Sequence, residues 1–347
     1  MSYISFGTND SVIVQESIVS PLWSNNTNTL TQAAMYTSSV QANSPQGLSY
    51  LNVYNLPISA VGSSLQFAIA YGNLNGYGSP AYNTNVPGKS PTSDIYGQYS
   101  SLVYGQASSQ EPFTFGTSNA SSTDIFVLTV SRAQYKEALQ PGSLNLTLTG
   151  PSGTIQLTDN SNDVTVESFV GSNEVFLIVS GSNGASYNGN DVQTVSGSYG
   201  IFLPNISTII LNPSALAAAP GVGGGIGLVI DSTNSTSYNA TYNINTSRLY
   251  SAIYSGNSFS LNSLETITSR YFNVKVNFTD LNYTTNPSVI DINGNIIYTT
   301  LVNNPETFIT SIGLYSMQNE LMAVAKLSTP LKKNFTQTLN LRVKIQS

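Results

Sequence analysis

Apolar and polar residues alternate one by one over several stretches of this chain. Leu65, Phe67, Ile69 and Tyr71 alternate with Gln66, Ala68 and Ala70, and Leu144, Leu146 and Leu148 with Asn145, Thr147 and Thr149. The same period recurs in Phe272, Val274, Val276 and Phe278 against Asn273, Lys275, Asn277 and Thr279. It appears again in Leu339, Leu341, Val343 and Ile345 against Asn340, Arg342 and Lys344. Successive side chains of a strand point to opposite faces, so each row lays one set on a core and the other in water. The pattern predicts a mainly β protein of two or three antiparallel β-sandwich or barrel-like domains with a few short helices.

Three segments depart from period two. Asp94–Tyr104 carries Ile95, Tyr99, Leu102 and Val103 at helical spacing, with Thr92 or Ser93 as the cap. Ser131–Leu139 reads as a second helix stopped by Pro141-Gly142, and Ser214–Ala219 as a third, entered from Asn212-Pro213 and closed by Pro220. The stretches 72–91 and 181–190 are rich in Gly, Asn, Tyr and Ser and read as surface loops. Strand density thins near residues 128 and 247. These soft boundaries give an N-terminal β-rich domain over 1–128, with the long loop 72–91 and the helix near 94–104. A middle β domain with the helix near 131–139 covers 129–247, and a C-terminal β domain covers 248–347. No internal repeat of fixed period is evident.

A length of 347 residues suffices for two or three cores. The chain has no cysteine and no histidine. Disulfides, thiolate chemistry and the most common general base and zinc ligand are thereby excluded, and the expectation is a protein that is not an enzyme. Charged residues make up only 8 %, with a net charge of -6. Neutral Asn, Ser, Thr and Tyr fill the polar positions, a composition suited to surfaces that pack against other proteins. The charges are unevenly spread. No basic residue occurs between Lys136 and Arg248, while Lys326, Lys332, Lys333, Arg342 and Lys344 crowd the end. An acidic middle and a basic tail could meet across subunits; two separate solvated surfaces are the plainer reading. The basic residues are too few and too spread for a nucleic-acid footprint. The start, Met1–Gly7, has neither a positive n-region nor an apolar run, so no secretory signal is expected. The apolar runs fall short of the ~20 residues of a membrane helix, so no membrane partner is expected either.

Several constellations mimic functional motifs. Gly221–Gly227 is nearly all glycine, but a phosphate cradle needs a strand before and a helix after; here Pro220 precedes and Leu228–Asp231 reads as a strand. Asp159–Asp163 and Asp291–Asn295 place oxygens at alternate positions, yet calcium needs about six or more ligands, and Asn293-Gly294 is a hairpin signal. Both are read as turns. The many Asn-x-Ser/Thr sequons, among them Asn145, Asn245 and Asn277, match what so Asn-, Ser- and Thr-rich a chain produces by chance. The lone Trp23 is read as core or interface rather than a sugar platform. No catalytic, cofactor-binding or metal-ligating residue is assigned, and no cofactor is expected.

The segments Thr307–Tyr315 and Gln318–Ser328 read as two strands joined by a polar turn. Together with Val86–Thr92, Tyr96–Tyr99, Ser131–Lys136, Pro141–Leu144, Tyr199–Phe202 and Ile209–Asn212 they resemble virion structural proteins of large contractile-tailed cyanophages and related marine phages. The resemblance implies a tail- or baseplate-associated component present in several copies, assembled in the host cytoplasm and residing in the virion. Its partners would be other virion proteins and further copies of itself, and it brings no catalytic residues. Relatives of that kind are more charged than this chain. Two other readings stand beside it: a surface-appendage or adhesin subunit, and a carbohydrate-binding or depolymerising protein with a host-surface glycan as partner.

Overall fold

The computed structural model describes residues 7, 10–37, 50–78, 90–105, 112–116, 121–163, 167–168, 174–187, 197–218, 224–231, 244–284 and 286–346. In chain order the strands are β1 (Ser11–Pro21), β2 (Thr29–Leu30), β3 (Tyr36–Thr37), β4 (Tyr50–Tyr54), β5 (Leu65–Asn73), β6 (Phe113–Thr114), β7 (Ser121–Ser122), β8 (Asp124–Val130), β9 (Ala138–Leu139), β10 (Asn145–Gly150), β11 (Gly153–Asp159), β12 (Glu167–Ser168), β13 (Glu174–Ser182), β14 (Ala185–Ser186), β15 (Gly200–Leu203), β16 (Thr208–Leu211), β17 (Phe259–Ser260), β18 (Asn262–Val276), β19 (Thr307–Tyr315), β20 (Leu321–Lys333) and β21 (Leu339–Gln346). Among the described residues four α-helices accompany them: α1 (Pro91–Tyr104), α2 (Pro213–Ala217), α3 (Ile244–Gly256) and α4 (Thr299–Asn303). The protein is mainly β with antiparallel sheets, as the alternation implied.

The chain forms two compact units, one of Ile18–Glu265 and one of Met1–Ser17 with Thr266–Ser347. Boundaries near 128 and 247 do not match this division. Residue 128 lies inside β8, which pairs with β5 on one side and β16 on the other, and residue 247 lies inside α3. Strand density along the sequence is a poor guide here because the ladders that define the larger unit join strands far apart in the chain.

In the larger unit the sheet runs β2-β17-β10-β11-β13-β15-β16-β8-β5-β4-β3 and curls into a half-barrel. Its central strands are apolar at nearly every position. In β8, Phe126, Leu128 and Val130 enter one core, and Ile125 and Val127 the other; in β13, Phe176 and Ile178 oppose Val175, Leu177 and Val179. Helix α3 covers the first face with Leu249, Ala252 and Ile253, and α1 covers the second with Tyr96 and Val103. A strand buried on both faces reads as a continuous apolar run, not as an alternation. The alternating strands β5 and β10 lie towards either side of this centre, with Phe67, Ile69, Tyr71, Leu146 and Leu148 all turned to the α3 face.

Trp23 belongs to this core. It is 2 % exposed, its indole N–H donates to the Phe259 carbonyl at 2.9 Å, and its ring centroid lies 4.9 Å from Phe259 and 6.0 Å from Phe67. Two large polar side chains of the unit are held by their neighbours. Gln66, fully buried, accepts from Ser24 N–H and donates to the Ser24 hydroxyl and the Ser64 carbonyl. The Tyr96 hydroxyl donates to Ser122 O at 2.8 Å and accepts from Phe113 N–H at 2.7 Å.

The helices differ in part from expectation. α1 begins earlier, at Pro91, and its cap is Ser90, whose N–H donates to the Ser93 hydroxyl; neither Thr92 nor Ser93 caps it, because the rigid φ of Pro suits the first helical position. α2 follows the Asn212 cap, whose side chain accepts from Ser214 and Ala215 N–H. No helix spans 131–139. The segment turns and then forms β9, with Ala138 and Leu139 paired to Leu264 and Ser263, while Glu137 and Gln140 N–H donate to Leu264 and Asn262 carbonyls. A nine-residue helix carries a nucleation cost that its few internal bonds repay poorly, and the ladder wins. α3 escaped the sequence reading, although Asn245, Leu249, Ala252 and Ile253 repeat at helical spacing.

The loop predictions divide similarly. Gly72-Asn73 belong to β5, 74–78 turn, and 79–89 lie outside the described residues. Residues 181–186 are a hairpin of β13 and β14 turning at Asn183-Gly184, and 188–190 lie outside the described residues. Of the glycine run, 224–227 are described. A Cβ on Gly225 would overlap the carbonyls of Ala215 and Leu216, so glycine serves close passage of one backbone over another. Leu228–Asp231 is not a strand; Ile226 and Leu228 N–H both donate to Leu216 O, which pins the segment to α2.

In the smaller unit β1, β18 and β21 form one sheet and β19-β20 a separate two-stranded hairpin. The β18–β21 register pairs Phe272 with Val343 and Val274 with Leu341 on one face, and Tyr271 with Lys344 and Asn273 with Arg342 on the other. β18 ends at Val276, and Phe278, expected to continue the row, is exposed in the following turn. Lys333 is fully buried, and its ammonium donates to the carbonyls of Phe278 and Asn334 and to Asn282 Oδ1, one acceptor for each of its protons.

Replacing Trp23 by Ala should lower unfolding free energy by about 3–5 kcal/mol, the usual cost of an emptied aromatic site. Trp23→Phe should cost less, chiefly the orphaned Phe259 carbonyl, at about 1–3 kcal/mol. Guanidinium unfolding of the full chain measures both.

Candidate interaction surfaces

The carboxylates of the larger unit hold the fold rather than converge. Asp124 Oδ1 accepts from the Tyr71 hydroxyl and from Asn73 Nδ2, each at 2.6 Å. Burial first, and then the neighbouring Asp124 charge, push the Tyr71 phenol well above its ordinary range. The Asp159–Asp163 segment is a turn. Asp163 N–H donates to Asn160 O, Asn162 N–H to Gly184 O, and Asp163 Oδ2 accepts from Ser186 N–H. Asp159 itself is fully buried; its Oδ2 accepts from Gly142 N–H at 2.7 Å, while its Oδ1 finds no well-formed hydrogen bond. Burial drives its pKa upward, more than the nearby Ser161 hydroxyl and the Gly142 amide draw it down. Among the described residues no group of three His, Cys, Asp or Glu side chains gathers to hold a metal.

In the smaller unit Asp291–Asn295 is the expected turn. Gly294 has φ 84°, Ile290 bridges Ile296, and Asp291 accepts from the N–H groups of Asn293 and Asn295, which lowers its pKa.

Two grooves open on the larger unit. One, of about 480 Å³, is lined by Gln32, Met35, Tyr36, Tyr250 and Tyr254. The Tyr250 hydroxyl donates to Met35 O, and burial holds its pKa up to about 12, so this is a neutral aromatic surface. The second, of about 680 Å³, lies between α3, the glycine loop and the β10–β11 turn. Its walls include Pro151, Leu228, Val229, Ile244 and Ala252, and Arg248 is its one charged residue among the described residues.

The smaller unit presents a different kind of surface. Forty-five of the buried apolar side chains lie in the larger unit and only Val276, Leu314, Leu341 and Val343 in the smaller, among the described residues. Conversely, 17 of the 27 exposed large apolar residues lie in the smaller unit. Six of them lie on the β19-β20 hairpin and its tip, Phe308, Tyr315, Met317, Leu321, Met322 and Val324, and seven more lie between Phe278 and Val302. A lone two-stranded hairpin is at best marginally stable in water. This one leaves both outer edges unpaired among the described residues and shows an apolar face to solvent.

Of the basic C-terminal residues, Lys332 is bonded to Glu306 and Lys333 is buried, so these two are committed within the unit. Arg342 stacks over the Tyr271 ring at 3.9 Å, and Lys344 lies 5.7 Å from the same ring. With Lys275 they form one cationic sheet face that meets no carboxylate among the described residues. The units divide the charge unequally. The larger holds 11 acidic and four basic residues, net −7; the smaller six acidic and seven basic, net +1.

No helix among the described residues is long and apolar enough to cross a membrane. Comparison with family models, with curated proteins and with solved structures finds no match to this chain.

Asp159 supplies a pH test. With its folded pKa raised, its contribution to stability is complete below the unfolded carboxylate pKa of about 4 and is lost as pH rises through the folded value. Asp159→Asn keeps an acceptor for Gly142 N–H and removes the charge. The variant should therefore be the more stable protein at neutral pH, and the gap should close as pH falls below about 4. Chemical unfolding across a pH series checks this; a gap that widens in acid would contradict it.

Proposed function

We propose that this chain is a non-enzymatic structural subunit of a tailed-phage particle, present in several copies and acting through protein–protein contacts. The observation that carries the assembly role is the smaller unit, which has four buried apolar side chains of its own and 17 large ones in solvent. Such a unit reaches a normal share of buried apolar surface only when another molecule covers it. The larger unit, with 45 buried apolar side chains among the described residues, needs no such completion. The sparse charge and the many neutral hydrogen-bonding side chains fit contact surfaces that must be desolvated. Placement in the tail or baseplate region rests on the sequence resemblance of the β19-β20 hairpin and the segments before it.

A surface-appendage subunit is the second reading, since an incomplete unit would serve it equally. Glycans separate the two. Asn245 is 1 % exposed, with its Oδ1 accepting from Asp231 N–H and its Nδ2 donating to Asp231 O, so sugar there is incompatible with the fold. Asn25, Asn205 and Asn277 are the exposed sequons among the described residues and would be the sites. Intact-mass measurement of native protein showing added sugar would favour the appendage.

The assembly role predicts concentration-dependent oligomers of the full chain by sedimentation velocity, and density for it in electron micrographs of native particles. Phe308→Lys with Val324→Lys, both on the exposed hairpin face, should shift the population to monomer and leave the unfolding of the larger unit unchanged. A chain that is monomeric at every concentration and absent from particles would defeat the proposal.

A further inference from the structure

We infer that the β19-β20 hairpin tip of one copy docks in the α3 groove of a second copy; this rests on the assembly role proposed above. The tip is the turn Ser316–Glu320 with its flanks. Ser316 N–H donates to Glu320 O, and the Ser316 hydroxyl accepts from the N–H groups of Gln318 and Glu320, so the turn is internally fixed. That leaves Met317 99 % exposed, Met322 70 % and Leu321 54 %. A turn whose backbone is satisfied and whose apolar side chains all face outward is shaped as a plug.

The α3 groove is the matching socket. At about 680 Å³ it is of the size that commonly encloses a few side chains, and its walls are mostly apolar. Each surface carries one charge, and the two are opposite. Glu320 is the only charged residue in the tip, and Arg248 is the only one that lines the groove among the described residues. Arg248 Nη1 donates to Val229 O at 2.6 Å, which holds the guanidinium at the groove, and no carboxylate meets it among the described residues. Arg248 is also the first basic residue after Lys136, so in an otherwise anionic stretch it marks where an incoming carboxylate is tolerated. At the scale of the whole units the polarity is reversed but again unlike, net +1 for the unit that carries the tip and −7 for the unit that carries the groove, so the local Glu320–Arg248 pair is what orients the contact.

A plug on one surface and a socket on another make a heterologous contact. Each copy that accepts a tip still offers its own, so the contact propagates into a ring where the rotation closes and into a filament where it does not.

The absence of native cysteine gives a direct test. Met322→Cys and Ser251→Cys are both exposed positions, one on the tip and one on the groove rim. Mixed as separate proteins under mild oxidation, they should give a disulfide-linked heterodimer well in excess of either homodimer. Glu320→Arg added to the tip variant should reduce its yield severalfold, and Arg248→Glu added to the groove variant should restore it. Should the Arg248 variant fail to fold, the Glu320→Arg loss alone decides. Heterodimer no more abundant than homodimers overturns the docking. So does an intrachain disulfide in the doubly substituted protein with none between chains, which would place the tip in its own groove. Oligomers that persist in sedimentation without the heterodimer leave the assembly role standing and remove only this contact; monomers throughout remove both.

Discussion

The central strands of the large sheet are apolar on both faces, and an antiparallel sheet built this way cannot stand as a single layer. Each face needs a cover, and the chain provides α1 for one and α3 for the other. Because both layers are then dry, polar groups near the sheet must find partners within it. Tyr96 spans from Ser122 to Phe113, Asn212 caps α2 while donating to Ser198 O, and Asn160 accepts from Leu177 N–H. Leaving such a group unpaired costs about 1–3 kcal/mol, so each network is a condition of the two-sided core and not an addition to it.

The smaller unit is built on the opposite principle. Its strands are long, β18 running 15 residues and β20 13, yet few of their side chains are fully buried. Its internal order comes from ladders, from turns such as Asp291–Asn295, and from the three-way anchorage of the Lys333 ammonium. These are directional interactions of modest net worth, about 0.5–1.5 kcal/mol for a typical hydrogen bond, and they define a shape without supplying much cohesion. Cohesion is what burial would add. The contrast between the two units is what the proposed assembly role is argued from: one unit buries a large apolar core, the other is defined in shape and left short of burial.

The sequence disclosed the parts of this arrangement that obey a simple period. β5, β10, β18 and β21 were legible from alternation, and α1 and α2 from spacing and caps. The two-faced centre was not, since runs such as Ile125–Val130 and Val175–Val179 show no alternation, and periodicity alone does not separate a buried strand from a buried helix. The helix expected over 131–139 failed for a related reason: its backbone is claimed by strand β18, more than 100 residues later in the chain. Domain limits were hidden because units composed of distant ladders leave no mark in local composition. Of the interaction surfaces, the exposed hairpin was legible as two strands and a turn, but its exposure was not; alternation gives which residues share a face and is silent on whether anything covers that face. The α3 groove depends on a helix the pattern missed, and only the isolated Arg248 in an acid-rich stretch hinted at it.

With charged residues at 8 %, the chain has few ion pairs to spend, and within its described residues it makes one, Lys332 with Glu306. Neutral hydrogen bonds from Asn, Gln, Ser and Tyr do the internal work, and these neither titrate near neutral pH nor weaken appreciably with salt. The charges are thereby left for a different task. Distributed as −7 on one unit and +1 on the other, they would, in the proposed assembly, bias encounters between copies towards unlike units, while fields of this kind govern orientation and rate more than affinity. Apolar burial would then set the strength of the contact and electrostatics its direction. A fold held by neutral bonds lets salt or pH tune association without loosening the subunit itself, and Asp159, the buried carboxyl behind the Gly142 turn, is the point inside the core where that separation fails.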